Sequence, residues 1–323
     1  MLLRARVVTF WSKQVDILGR GAFHRPGETP PQKGPPMKLA SLRTASGTTL
    51  GILDGGRLVD VAATAAERAL DVPVTMEQLI AQGPLGREAL ADLLGGEVVT
   101  LDPDAATFAP VVADPEKILC VGINYRKHSA EFQMDVPSEP LLFGKYNNAL
   151  AAHRETVGLS PVSNQYDYEA ELVMVVGRRA HDVPRDRALD YVFGYTVGND
   201  LTARDLQHRT GQWLIGKSLD QFAPTGPYLV TADSFDPVHK RIGLTKNGVP
   251  EQDATTDAMV FDCAQILSCA SRYLTLEPGD LIFTGTPEGV VCGKPEGERD
   301  WIRPGDVVEA TIEGIGTLTT RFA

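Results

Sequence analysis

The chain has 323 residues, 43% of them hydrophobic and 23% charged, and its 42 acids against 31 bases leave a formal net charge of −11. A chain of this size buries a large core without disulfide staples, and its apolar content excludes wholesale disorder. The acidic balance lacks the cationic footprint that neutralises phosphates, so no nucleic-acid partner is expected, and no apolar run is long enough to predict a membrane span.

The charge is unevenly placed. Residues 1–36 carry six cations and two anions, so the other 287 residues carry −15. The opening stretch is basic and partly apolar, then runs into a Pro-rich segment, Arg25-Pro26 to Pro35-Pro36, that cannot form a core element. Residues 1–36 are therefore expected to be an extension outside the fold, with Met37 opening the first strand. A targeting peptide is the competing reading, but the segment has no long apolar stretch and little serine.

Residues 37–114 predict a small N-terminal α/β domain. Strands are expected around Leu39–Leu42 and Thr49–Leu53, joined at Ala45-Ser46-Gly47, with a hairpin turn at Asp54-Gly55-Gly56 before Arg57. Helices are expected over Ala62–Leu70 and Met76–Leu94, and a linker near Ala109–Pro115. Residues 115–323 read as a β-rich catalytic domain with short helices, giving an α+β, mainly β fold overall. Ile118–Gly122 and Glu171–Val176 are buried-strand patterns. Two Pro-Gly-Asp turns, at 278–280 and 304–306, each precede a strand. Cys120, Cys263, Cys269 and Cys292 form no Cys-x-x-Cys pair and predict free thiols in a reducing, cytoplasmic setting.

Three carboxylates stand out. In Asp167-Tyr168-Glu169-Ala170-Glu171 a strand would point Glu169 and Glu171 to one face. Side by side they repel unless a cation sits between them; a solvated edge is the competing reading. Asp200 follows the strand pattern Gly194–Asn199 at a strand end. Asp205 is set aside, because Thr202-Ala203-Arg204-Asp205 fits a helix capping box. Oxygen ligands without a nearby His or Cys suit Mg²⁺ or Mn²⁺ rather than zinc.

A second constellation is Asn124-Tyr125-Arg126-Lys127-His128-Ser129-Ala130-Glu131. On a helical turn His128 and Glu131 share a face, and a carboxylate fixes the tautomer of its histidine and raises its basicity. The competing reading is a surface ion pair. Lys145 and Lys217 follow small or apolar residues, where an ammonium can stabilise an enolate or a carboxylate. Thr284-Gly285-Thr286-Pro287 is either a carboxylate-binding strand end or an ordinary turn.

Together these stretches resemble the fumarylacetoacetate hydrolase family. The resemblance rests on N-Y-x-x-H-x-x-E (124–131), D-Y-E-A-E-L (167–172), G-Y-T-V-G-N-D-L-T-A-R-D-L-Q (194–207), G-K-S-L-D (216–220) and T-G-T-P-E-G-V (284–290). It is closest to the bacterial oxaloacetate decarboxylase, acylpyruvase and hydroxyheptadienedioate isomerase branch. It implies a mixed β-roll or β-sandwich catalytic domain, a homodimer and Mg²⁺ or Mn²⁺. Carried over by motif, Glu169, Glu171 and Asp200 are the metal ligands. His128 and Glu131 form the dyad that activates water or moves a proton, and Lys217 stabilises the developing enolate. Arg204, Gln207 and Thr286 help hold the substrate's oxo-acid end, and Lys145, from its own sequence context, is expected to bind substrate with them. The chain departs from the family pattern at Tyr146-Asn147-Asn148, at Val291-Cys292, which border the pocket in family terms, and at Ala170.

The resulting expectation is metal-dependent C–C bond cleavage of a 2-oxo or 1,3-diketo acid, by an acylpyruvate or fumarylpyruvate hydrolase or an oxaloacetate decarboxylase. The alternatives are isomerisation of a hydroxymuconate-type diacid with the same metal and a proton shuttle, and a non-catalytic binding protein on the same fold.

Overall fold

The computed structural model describes residues 35–45 and 47–323, so residues 1–34 of the expected extension, and the turn residue Ser46, lie outside the described residues. Among the described residues no helix is long and apolar enough to cross a membrane.

The hairpins form where the turn chemistry puts them. Lys38–Thr44 pairs antiparallel with Gly47–Asp54, which pairs with Arg57–Asp60 across the Asp-Gly-Gly turn. The first predicted helix is observed as Val61–Arg68, with the Asp60 carboxylate accepting from the Ala63 N–H at its N-terminus. The second is observed as two helices, Met76–Gln82 and Pro84–Leu94. The break has a local cause: Gly83 takes φ +58°, and Pro84 lacks an N–H for the preceding turn but suits the first position of a new helix.

These N-terminal strands continue the main sheet, because Lys38–Thr44 pairs antiparallel with Ala223–Thr231. Beyond it follow Val192–Asn199, Ala170–Val176, Leu281–Phe283, Ile118–Gly122 and Leu141–Lys145, in an 11-stranded sheet. Most pairs are antiparallel, but Leu281–Phe283 runs parallel to Ile118–Gly122 and Leu150–Ala152 parallel to Ala223–Thr231. A second sheet of five strands is built around Arg241–Lys246, Val307–Ile312 and Gly316–Phe322. Both sheets contribute to one apolar core, in which Val173, Val175 and Val197 join Ile242, Leu244 and Leu318. This is the α+β, mainly β architecture expected.

Every residue of Ala170–Val176 and Val192–Asn199 is buried. Strands covered on both faces read as continuous apolar runs, so carboxylates at their ends stand out.

Candidate active site

Glu169 and Asp200 lie at the ends of these two central strands. Ala170 faces Asn199, and the ladder is extended by the Asp200 N–H donating to the Glu169 carbonyl at 2.9 Å. Glu171, one register further in, faces Gly198. Each of the three carboxylates offers an oxygen within 4.8 Å of the others, and all three are buried.

Buried acids held this close need positive charge. Lys217, in the short helix Leu214–Lys217, donates to Glu169 Oε2 and Asp200 Oδ2, both at 2.7 Å. Its ammonium also lies 5.2 Å from the centre of the Phe143 ring. Arg204 is gripped from two sides: its Nε donates to Asp167 at 2.8 Å and a terminal nitrogen to Glu169 Oε1 at 2.6 Å. Its other terminal nitrogen donates to Gln207 Oε1 at 3.1 Å. Burial works against ionising Glu169, but Lys217 and then Arg204 outweigh it and hold its carboxyl at about 2. Burial, then Asp200 and Glu169, push the Glu171 carboxyl well above the usual range; Lys217 also favours its charged form but is outweighed there. Its one strong partner is the Gly285 N–H, 2.7 Å from Oε2.

The donor set fits a hard divalent cation: three converging carboxylates, no sulfur, and one acid whose pKa is raised by burial and its neighbouring carboxylates. A metal held by Glu171 would displace any proton the carboxyl carries. Affinity for Mn²⁺ is therefore expected to climb with pH across the range in which metal-free Glu171 is protonated, by up to about tenfold per pH unit. Calorimetry in buffers of different ionisation enthalpy reads the released proton. A pH-independent affinity with no proton release contradicts this assignment.

The strand end Thr284-Gly285-Thr286 closes one side. Asn124 holds it, donating from Nδ2 to the Thr284 carbonyl at 2.7 Å and to the Phe261 carbonyl at 3.0 Å. Gly285 adopts φ +98°, and a Cβ there would meet the Asn124 Cβ at 2.6 Å. Gly285→Ala is expected to destabilise the protein by about 1–3 kcal/mol and to displace the N–H that binds Glu171. Denaturant unfolding measures the loss, and an unchanged midpoint is the contrary result. The Thr286 hydroxyl donates to the Ala170 carbonyl at 3.0 Å and accepts from Gln252 at 2.9 Å.

His128 and Glu131 lie on the helix Arg126–Glu131, with Nδ1 3.0 Å from Glu131 Oε2. Glu131 is held by a second bond, from the Gly289 N–H to Oε1 at 2.8 Å. The His128 ring meets Phe132 edge-on at 5.0 Å. His128, Lys217, Arg204, Gln207 and Thr286 line one cleft with the three carboxylates, and Phe132, Phe143 and Trp213 supply apolar wall.

Lys145 is placed differently. It does not line this cleft; its ammonium is buried behind Asp200, donating to Asp200 Oδ1, to the Leu201 carbonyl at 3.1 Å and to the Phe222 carbonyl at 2.6 Å. The capping box proposed for Thr202 and Asp205 does not form. Helix Arg204–Gln207 has Ala203 at its N-cap position, Thr202 donates to the Asp200 carbonyl, and Asp205 binds the Ser163 hydroxyl and the Leu206 N–H. The two-residue strand Thr202–Ala203 directs Thr202 away from the helix end. Asp205 stays outside the carboxylate group, as expected.

Sequence reasoning gave no role to Asp167. This fully buried acid accepts from Arg204 and from the N–H groups of Tyr168, Val291 and Cys292 at 2.8–2.9 Å, so it ties Arg204 to the loop after Thr286. The period-two spacing Asp167, Glu169, Glu171 carried that signal. Val291 and Cys292 thus meet the site through their backbone. Asn147 and Asn148 bind Asp114 and Asp220, and neither lines the cleft.

The arrangement matches the residues by which the chain resembles its relatives, and the chain belongs to the fumarylacetoacetate hydrolase family: residues 117–323 match the family described as fumarylacetoacetate (FAA) hydrolase C-terminal. It is an enzyme of that family. Among curated relatives, a Dictyostelium discoideum fumarylacetoacetate hydrolase domain-containing protein 2 homolog is 43% identical over 223 residues, covering 65% of this chain and 72% of that one. A Bos taurus protein named oxaloacetate tautomerase FAHD2A, mitochondrial, is 37% identical over 272 residues, 83% of this chain and 84% of that one. Among solved structures, a fumarylacetoacetate hydrolase from Exiguobacterium antarcticum superposes with a TM-score of 0.75 at 31% identity, covering 88% of this chain and 99% of that one. A maleylpyruvate hydrolase from Sphingobium sp. SYK-6 gives 0.73 at 29% identity, with 89% and 99% covered.

Proposed function

We propose that this enzyme moves a proton at the carbon beside the 2-oxo group of a small oxo acid, and that its reaction is keto–enol interconversion of an oxaloacetate-like diacid. One observation carries the reading: the His128 imidazole, backed by Glu131, lines the same cleft as Glu169, Glu171 and Asp200. The bovine relative named oxaloacetate tautomerase, similar over 83% of this chain, supports the choice of reaction.

Glu169, Glu171 and Asp200 would hold Mg²⁺ or Mn²⁺, which when bound acts as a Lewis acid toward the substrate's 2-oxo and carboxylate oxygens. Glu131 occupies Nδ1 of His128, leaving Nε2 to take the proton from C3 and pass it to the 2-oxo oxygen, which gives the enol, with the two transfers reversed to restore the keto form. The Gly289 N–H keeps Glu131 from rotating away. Lys217 supplies positive charge where negative charge grows on the 2-oxo oxygen. Arg204, Gln207 and Thr286 bind the carboxylate end, and Phe132 and Trp213 exclude water. Four free thiols fit a reducing compartment such as the cytosol, and the family resemblance favours a homodimer.

C–C bond cleavage is the second reading, favoured by the likeness to a maleylpyruvate hydrolase. There His128 and Glu131 would activate water toward the distal carbonyl, while decarboxylation of oxaloacetate would need no water nucleophile. Proton NMR in D₂O with Mg²⁺ separates the cases, using oxaloacetate, acylpyruvates, fumarylpyruvate and hydroxymuconate-type diacids. Enzyme-accelerated deuterium uptake at C3 without products supports tautomerisation, and cleavage products support the second reading. An inert protein across the panel, with Mg²⁺ and with Mn²⁺, rejects both and favours a non-catalytic binding role.

A further inference from the structure

We propose that Lys145 is a positioning residue that fixes the orientation of Asp200, and that it makes no contact with substrate. The inference rests on the reading of Glu169, Glu171 and Asp200 as metal ligands. An ammonium has three N–H donors. Those of Lys145 go to Asp200 Oδ1, the Leu201 carbonyl and the Phe222 carbonyl, so none is left to meet a substrate oxygen. The side chain is 0% exposed, and the residue is absent from the cleft wall.

Lys145 and its acceptors belong to three separate parts of the main sheet. Lys145 ends the strand Leu141–Lys145, Asp200 and Leu201 follow the strand Val192–Asn199, and Phe222 precedes the strand Ala223–Thr231. Lys145 thus pins three strand ends together immediately behind one carboxylate. Asp200 is held between two lysines with different surroundings: Oδ1 faces Lys145 in the closed interior, and Oδ2 faces Lys217, which lines the cleft. A buried ion pair of this kind is obligatory in both directions, since neither partner has solvent to turn to. Asp200 therefore keeps one oxygen locked behind it and presents the other to the cleft. Asn147 and Asn148 sit just past the lysine and bind segments 114–115 and 218–220, which steadies the same corner.

The test measures Mn²⁺ affinity and steady-state kinetics separately. Mn²⁺ binding is titrated by electron paramagnetic resonance for the full chain and for Lys145→Met and Lys145→Gln. KM and kcat for the oxo acid are then taken at saturating Mn²⁺. Lys145→Met is expected to weaken Mn²⁺ binding by about tenfold or more and to lower kcat, with KM changed less than about twofold. Lys145→Gln keeps one donor for Asp200 and is expected to fall between the parent chain and Lys145→Met; it carries the test if Lys145→Met does not fold. Unchanged Mn²⁺ affinity with a raised KM overturns the proposal in favour of a substrate contact, and no change in either quantity overturns it as well. A parent chain that binds no Mn²⁺ rejects the metal-ligand reading itself, a result distinct from the other two.

Discussion

Glu171→Gln is expected to fold, to bind Mn²⁺ roughly 100-fold more weakly or worse, and to lose about a thousandfold in turnover. The amide has the shape of the acid, and its oxygen still accepts from the Gly285 N–H, so the packing beside Thr284 is preserved. What disappears is the charge. In the metal-free protein that charge is unwelcome, because burial and the neighbouring Asp200 and Glu169 raise the Glu171 pKa well above the usual carboxylate range. The sign of the stability effect follows. An acid whose folded pKa is raised is protonated in the native state at pH values where the unfolded chain has already lost its proton. The unfolded state then binds fewer protons, and metal-free stability falls as pH rises above the ordinary carboxylate range. Removing the charge flattens that decline. Metal-free Glu171→Gln is therefore expected to melt at or above the parent's temperature near neutral pH, whereas Mn²⁺ raises the melting temperature of the parent alone. Scanning calorimetry with and without Mn²⁺ reads both effects. Parent-like Mn²⁺ affinity in the variant contradicts the assignment.

The second large effect belongs to the dyad. His128→Gln is expected to slow the proton-transfer reaction by about 10²–10⁴ while leaving Mn²⁺ affinity unchanged, since His128 bonds to Glu131 and to none of the three carboxylates. Glu131→Gln should do less harm, because the imidazole keeps its place and loses the charge behind it. The comparison also separates reactions. Hydrolysis needs an activated water and should collapse with His128, whereas oxaloacetate decarboxylation should survive better. Full exchange or hydrolytic activity in His128→Gln removes the dyad from the chemistry.

Legibility in the sequence followed the range of the interaction. Gly55-Gly56 marks its hairpin, and the two Pro-Gly-Asp turns mark the starts of Leu281–Phe283 and Val307–Ile312, because turn chemistry is local. Ile118–Gly122 could be read because five consecutive apolar residues admit few alternatives. The break at Gly83-Pro84 was also local; the apolar periodicity on both sides masked it. Within the site, Glu169 and Glu171 were visible through their spacing, and His128 and Glu131 through a helical step. The place of Lys145 was not, because its partners lie 55 to 77 residues further along the chain. The same holds for Asp167, whose partners at Arg204 and at Val291-Cys292 come from two distant segments. An ammonium beside an apolar strand looks the same in sequence whether it faces a cleft or a buried carboxylate.

The most direct test of the account is a Mn²⁺ titration of chelator-treated protein that follows bound metal and deuterium uptake at C3 of the oxo acid in parallel samples. One Mn²⁺ per chain is expected, with activity rising in proportion to bound metal, and neither response is expected in Glu171→Gln. Full activity in the chelated protein, or a stoichiometric Mn²⁺ site that persists in Glu171→Gln, would contradict it.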